Sequence, residues 1–441
     1  IDIDTKNGGL TSRQSTITTS AEANTAVDAN GTPIVGNITV NAIAGINLID
    51  TDVTATTTSG TAGAVNLITN GAIALQAQSD IATTTASGRA GTINLTGNAG
   101  INGQNSTVRS NASESPGTAG NITFATNGVL NLQGMTLNTS AMDRTAGTIT
   151  GLGGQGLVFS NSQIASQATG MGAAGRIAFS TENGGLTSRR STISTSAVDR
   201  SPSTTNDQGG AIALDTATGI DLTDTTITSA TMGTRDAGEV TLTTNGDVTL
   251  SRSELSSSAR STGNAGRVTV NTTNGRFDSQ QSRLTTEVVN GQAGLGAIAI
   301  TTATGINLTA TNITSGAIGT GNAGEVTFTT NGEIDLARSE LSSSAQSTGN
   351  AGSVNVTTTN GRFNSQQSDL TTAAVNGTGG NIAINTTTGI NLTDTDVTSA
   401  TTGTGNAGEV SLSTNGDAVY YKQSDSADES RGGGGAGGGG V

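Results

Sequence analysis

The strongest constraint on this chain is that it repeats. An anchor of Val or Ile, any residue, then a second apolar residue recurs from Ile1 and Ile38 through Val65, Ile93, Ile122, Ile149, Ile177 and Ile212. It continues through Val240, Val268, Ile298, Val326, Val354 and Ile382 to Val410. Eight of the fourteen intervals equal 28 residues, and the others run from 27 to 37. Self-similarity at such a period marks architectures in which one unit cannot bury its apolar face alone and must stack on its neighbours.

Each unit follows one grammar, seen in VTLTTNGDVTLSRSELSSSA at 240 to 259. An alternating segment meets an Asn-Gly corner, a second alternating segment follows, and Ser-x-Leu opens a stretch of small residues. Period-two alternation is the strand signal, and nothing in the unit has helical spacing. The expected fold is all-β: a right-handed parallel β-helix of about 28 residues and three short strands per coil, with about 14 coils. The corners at Asn245-Gly246, Asn274-Gly275, Asn331-Gly332 and Asn360-Gly361 are expected to turn through positive φ, which Asn and Gly tolerate. A larger period of three coils is visible in IDLTDTTITS at 220, INLTATNITS at 306 and INLTDTDVTS at 390, steps of 86 and 84 residues. Residues 1–417 read as one solenoid, and 418–441 as a degenerate last coil with a glycine-rich tail.

Composition excludes several functions. Only 32% of residues are hydrophobic and 2% aromatic, while the net charge of −14 opposes binding to nucleic acid or anionic lipid. No apolar run is long enough to insert in a membrane as a helix. With His 0 and Cys 0 there is no imidazole or thiolate to build a Ser-His-Asp triad, a Cys-His pair or a zinc site, so no enzyme is expected. A polysaccharide-active β-helix would normally add aromatic sugar platforms, yet Trp is 0 and Tyr is 2. Outward Thr pairs such as Thr241 with Thr243 suit an ice-binding face, but Ala299 and Asn355 break the ranks. Any signal peptide lies outside a chain that begins at Ile1.

Candidate sites are few. Glu340, Asp369 and Asp396 share one outward column on successive coils, where calcium could bridge carboxylates about 4.8 Å apart. No other cofactor is implied. The two longest intervals, 37 and 35, belong to coils containing GGLTSRQSTITTSA and GGLTSRRSTISTSA, and Pro33, Pro116 and Pro202 fall in closing loops. That loop-bearing edge is the expected place for a surface glycan or other cell-surface partner. Ile1 and Ile3 at one end, and Tyr420 and Tyr421 at the other, sit on coils that lack a neighbour, which points to self-association into a filament or to a longer solenoid.

The elements GNAGEVTFTTNG at 321 to 332 and SELSSSA at 339 to 345 resemble the haemagglutinin-like repeats of two-partner-secretion exoproteins, the filamentous haemagglutinin family. The resemblance covers residues 1 to about 417. It implies secretion to the bacterial surface through an outer-membrane β-barrel partner, a shaft-like adhesive or matrix role, and no cofactor. The family's Asn-Pro-type secretion motif has no counterpart here. In this frame GNAG, in phase at Gly263, Gly321, Gly349 and Gly405, is the corner of a rod and not a phosphate loop.

Overall fold

A computed structural model describes residues 1–22, 35–198, 209–290 and 296–421. The described residues contain strands and turns and no helix. The first strand of every coil joins one parallel sheet of 15 strands, from Asp2–Thr5 and Ile38–Ala42 to Val410–Thr414. The anchors found in the sequence lie opposite one another, with Val240 facing Val268, then Ile298, then Val326. Second and third strands, such as Asp247–Ser251 and Glu254–Ala259, form two further ladders within a 28-stranded sheet. In the first two coils these faces run on as single strands, Leu10–Ala21 and Gly45–Thr61. The chain is a parallel β-solenoid of roughly 28 residues per turn, with about 13 turns.

Alternation decides the core. In Val240–Thr244 the positions are buried and half-buried in turn, with Val240, Leu242 and Thr244 inward. Aliphatic columns continue along the stack, and all six phenylalanines, Phe124, Phe159, Phe179, Phe277, Phe328 and Phe363, are buried among them. Phe159 and Phe179 meet edge to face across the core, 4.9 Å between centroids. Each such side chain contributes roughly 1.5–3 kcal/mol by leaving water, and only because a neighbouring coil covers it.

The corners hold polar atoms that strands alone would leave unpaired. At the first corner, Asn245, Asn274, Asn331 and Asn360 are absent from the residues with positive φ, and so are their glycines. The sequence expectation of a left-handed Asn-Gly turn is therefore corrected. These glycines are required by close approach: a Cβ on Gly246 would lie 1.6 Å from the Thr218 carbonyl oxygen, and one on Gly332 would lie 1.7 Å from that of Thr304. The strand-end threonine locks the turn, because the Gly246 amide donates to Thr244 Oγ1 at 3.2 Å and Gly332 to Thr330 Oγ1 at 3.1 Å. The Asn side chains stack, with Asn274 Nδ2 donating to Asn245 Oδ1 one coil away.

Left-handed backbone instead appears just before Ser-x-Leu: φ is 49° at Asp224, 48° at Arg252, 50° at Ala310 and Arg338, and 47° at Asp394. The amide after such a turn needs a new acceptor, and the next coil supplies a serine hydroxyl. Thr311 N–H donates to Ser339 Oγ and Ser339 N–H to Ser368 Oγ, each at 3.1 Å. Ser339 and Ser368 are 3% and 2% exposed, so the serine of the motif is a core residue whose work is hydrogen bonding. Where Met135 replaces it, its thioether occupies the room left by Gly103, whose Cβ would lie 2.6 Å from the sulfur. The closing corner uses a second buried serine: Ser257 Oγ accepts from Gly266 N–H at 2.8 Å and donates to Gly238 of the preceding coil at 3.0 Å. Ser315 and Ser343 repeat the arrangement. GNAG is thus one half of an inter-coil clasp.

Candidate interaction surface

With the inward positions given to packing, what this molecule can do chemically lies on its outward rows, corners and ends. The strands put Glu340 opposite Asp369, and Asp369 opposite Asp396, as the sequence spacing requires. Register alone does not make a cation site: among the described residues, no three His, Cys, Asp or Glu side chains come together as a group that could hold a metal ion. Glu254 stands opposite Arg283 in the same row.

Ion pairs connect neighbouring coils elsewhere. Arg109 reaches one coil back to Asp80, with Nη2 2.7 Å from Oδ2 and Nε 3.2 Å from both carboxylate oxygens. That hydrogen bond is the main cause raising the Arg109 pKa against the lowering effect of burial, with Asp52 contributing further negative charge in register with Asp80. At the left-handed corner Arg252 Nε lies 2.7 Å from Asp224 Oδ1, and the hydrogen bond from Arg252 holds the Asp224 carboxyl below its ordinary range. Arg276 pairs with Asp278, two residues along the chain, at 3.0 Å. Sequence reasoning missed these pairs, although Asp224 and Arg252 are 28 residues apart, one coil in a chain with that period.

A shallow groove crosses the first corner, lined by Val129, Val158, Thr187, Asp221, Asp247 and Thr249. Its floor is a stack of three glycines in register, Gly156, Gly185 and Gly219, which leave the backbone bare between the flanking side chains. Glycine at this position on three successive coils is the sequence signal that would have found it.

The end coils carry core positions without cover. Ile1 is 48% exposed and Ile3 half-buried, while at the far end Leu412 is 42% and Tyr420 62% exposed. Tyr420 lies opposite Leu392, which is 2% exposed because the last coil covers it. The strand Asp417–Tyr421 keeps register with Gly389–Thr393. Pro33, Pro202 and the loops around them, together with the glycine-rich tail, lie outside the described residues; Pro116 lies within them. Compared with family models, with curated proteins and with solved structures, the chain yields no match, so its fold and its surface chemistry are the guide to its role.

Proposed function

We propose that this protein is a non-enzymatic structural or adhesive β-solenoid, the shaft of a secreted surface adhesin or the subunit of a cell-surface or matrix filament. The observation that carries this reading is the unbroken register of 15 strands, in which nearly every inward position serves the stack and the outward rows repeat small hydroxyl and amide side chains. Such a design supplies a stiff element of defined length. The likeness to filamentous haemagglutinin repeats supports an extracellular setting. Leu412, Tyr420 and Ile1 are exposed apolar positions in register with the stack, which a further coil, whether of a longer chain or of a second copy, would cover. Electron microscopy of the full-length protein tests this: rods joined end to end support the filament form, whereas a compact particle would sink both forms.

A second reading, a glycan- or calcium-binding module, rests on the glycine-floored groove with Asp221, Asp247, Thr187 and Thr249 along it. A glycan array run with and without calcium separates the two. Binding lost on replacing Asp221 with Asn would favour the module, and no binding in either condition would favour the shaft.

A further inference from the structure

We propose that the first corner is a self-recognition edge, along which two copies of this chain lie side by side and antiparallel. From Gly219 to Asp417 the corner carries a charge pattern of period three, whereas the preceding coils have Gly100, Val129, Gly156 and Gly185 there. Its first triad is Gly219, Asp247 and Arg276 on successive coils, and the next is Gly305, Glu333 and Arg362. Gly389 and Asp417 begin a third. The pattern is therefore neutral, negative, positive, at a rise of about 14 Å per triad. All five charged members are exposed. The glycines have φ of 153° at Gly305 and 150° at Gly389, a conformation that side chains avoid, so the neutral position is fixed by the backbone and not free to drift.

A sequence of neutral, negative, positive has a particular symmetry. Reversed and laid against itself, it pairs every negative with a positive and every neutral with a neutral. Two parallel copies in register would instead place like against like. An antiparallel pair related by a two-fold axis is the isologous arrangement that closes after two subunits. In a chain with 33 acidic and 19 basic residues, this nearly balanced row is where a second copy meets least repulsion.

One register is preferred. With the axis between Glu333 and Arg362, each faces the other's counterpart in the second copy, Gly305 faces Gly389, and Arg276 faces Asp417. In the neighbouring outward row, Asp335 then faces Asn364. Centring the axis on Gly305 would oppose Asp278 to Asp335, two like charges. Centring it between Asp247 and Arg276 would rest on Arg276 alone, an arginine that Asp278 already holds at 3.0 Å, and would set Glu333 and Arg362 against Gly185 and Gly156. In the Arg362 coil that position is Asn364, which donates to Asp335 at 2.8 Å, so Arg362 has no carboxylate two residues along its own coil.

Sedimentation of the full-length protein at low and high salt tests the proposal. A dimer that weakens with salt is expected, with Arg362→Glu raising its dissociation constant at least about tenfold by setting like charges against each other. The swap Glu333→Arg with Arg362→Glu should restore the dimer, since the reversed pattern is also self-complementary, while mixtures of swapped and native chains should not pair. Chains bearing Asp335→Cys mixed with chains bearing Asn364→Cys should form an intermolecular disulfide, which end-to-end stacking cannot produce because both residues lie inside the stack. Circular dichroism confirms folding, and Arg362→Gln replaces any variant that fails it. A chain monomeric at low salt, a dimer indifferent to Arg362→Glu, or corner arginines that serve only to hold an acidic polymer would overturn the proposal.

Discussion

The two corners that flank the second strand look alike in a cross-section and obey opposite rules. In the coils whose first corner is Asn-Gly the backbone dihedrals are ordinary and the glycine recurs; before Ser-x-Leu the dihedrals are fixed and the sequence varies, with Asp224, Arg252, Gln281, Ala310 and Arg338 all at φ near 50°. What differs is which quantity is scarce. At Gly246 it is space, because the Thr218 carbonyl of the coil beneath occupies the position of a side chain. At Ala310 it is conformational freedom, because the residue is only half-buried and its backbone is held in a disfavoured region.

The contrast can be broken by substitution, beginning where the effect is largest. Gly332→Ala would set a methyl group 1.7 Å from the Thr304 oxygen, so the coils must part, and a loss of about 3–5 kcal/mol is expected in chemical denaturation. A loss under about 1 kcal/mol would show that the stack yields easily there. Ser339→Ala strands the buried amide of Thr311, which it accepts at 3.1 Å, and should cost about 1–3 kcal/mol; faster hydrogen exchange at that amide is the specific readout. Ala310→Gly should have the opposite sign to ordinary glycine substitutions in strands, raising stability by up to about 1 kcal/mol as the left-handed strain is relieved. A drop in the melting temperature would contradict the strain.

The smallest effect concerns charge at the same corner. Asp224 has a pKa lowered chiefly by the hydrogen bond from Arg252, so its folded value lies below its unfolded one. Its contribution is present above the unfolded carboxylate value and is lost as pH falls through the folded one, a window entirely on the acid side of about 4. Asp224→Asn should lower stability slightly at neutral pH, where the charged pair contributes, and leave it almost unchanged at acid pH below the window, so that the acid limb of the stability profile flattens. A change at neutral pH equal to that at acid pH would assign the pair a packing role.

The same contrast explains how much could be read from the chain alone. The period, the alternation, the inward Val, Leu and Phe and the register of Glu340 with Asp369 follow from spacing, and spacing survives in sequence. The role of Ser339 was hidden because serine seldom signals a core position, and only the turn before it creates the amide that it serves. The left-handed corner was invisible, since Arg338 and Ala310 share no chemistry. The Asn-Gly dipeptides were noticed for the right place and a different reason: the dihedral argument is local, whereas the clash that selects glycine comes from a residue 28 positions earlier. The groove over Gly156, Gly185 and Gly219 escaped because each glycine is commonplace alone and matters only as a column.

Winding about 28 residues into each step along the axis stores contour length. The folded rod advances about 0.17 Å per residue, against about 3.3 Å for a drawn-out strand. A single coil peeled from either end therefore releases about 90 Å of tether, more than the whole stack measures. Under tension such a solenoid would yield by long, discrete extensions while the remaining coils keep their shape.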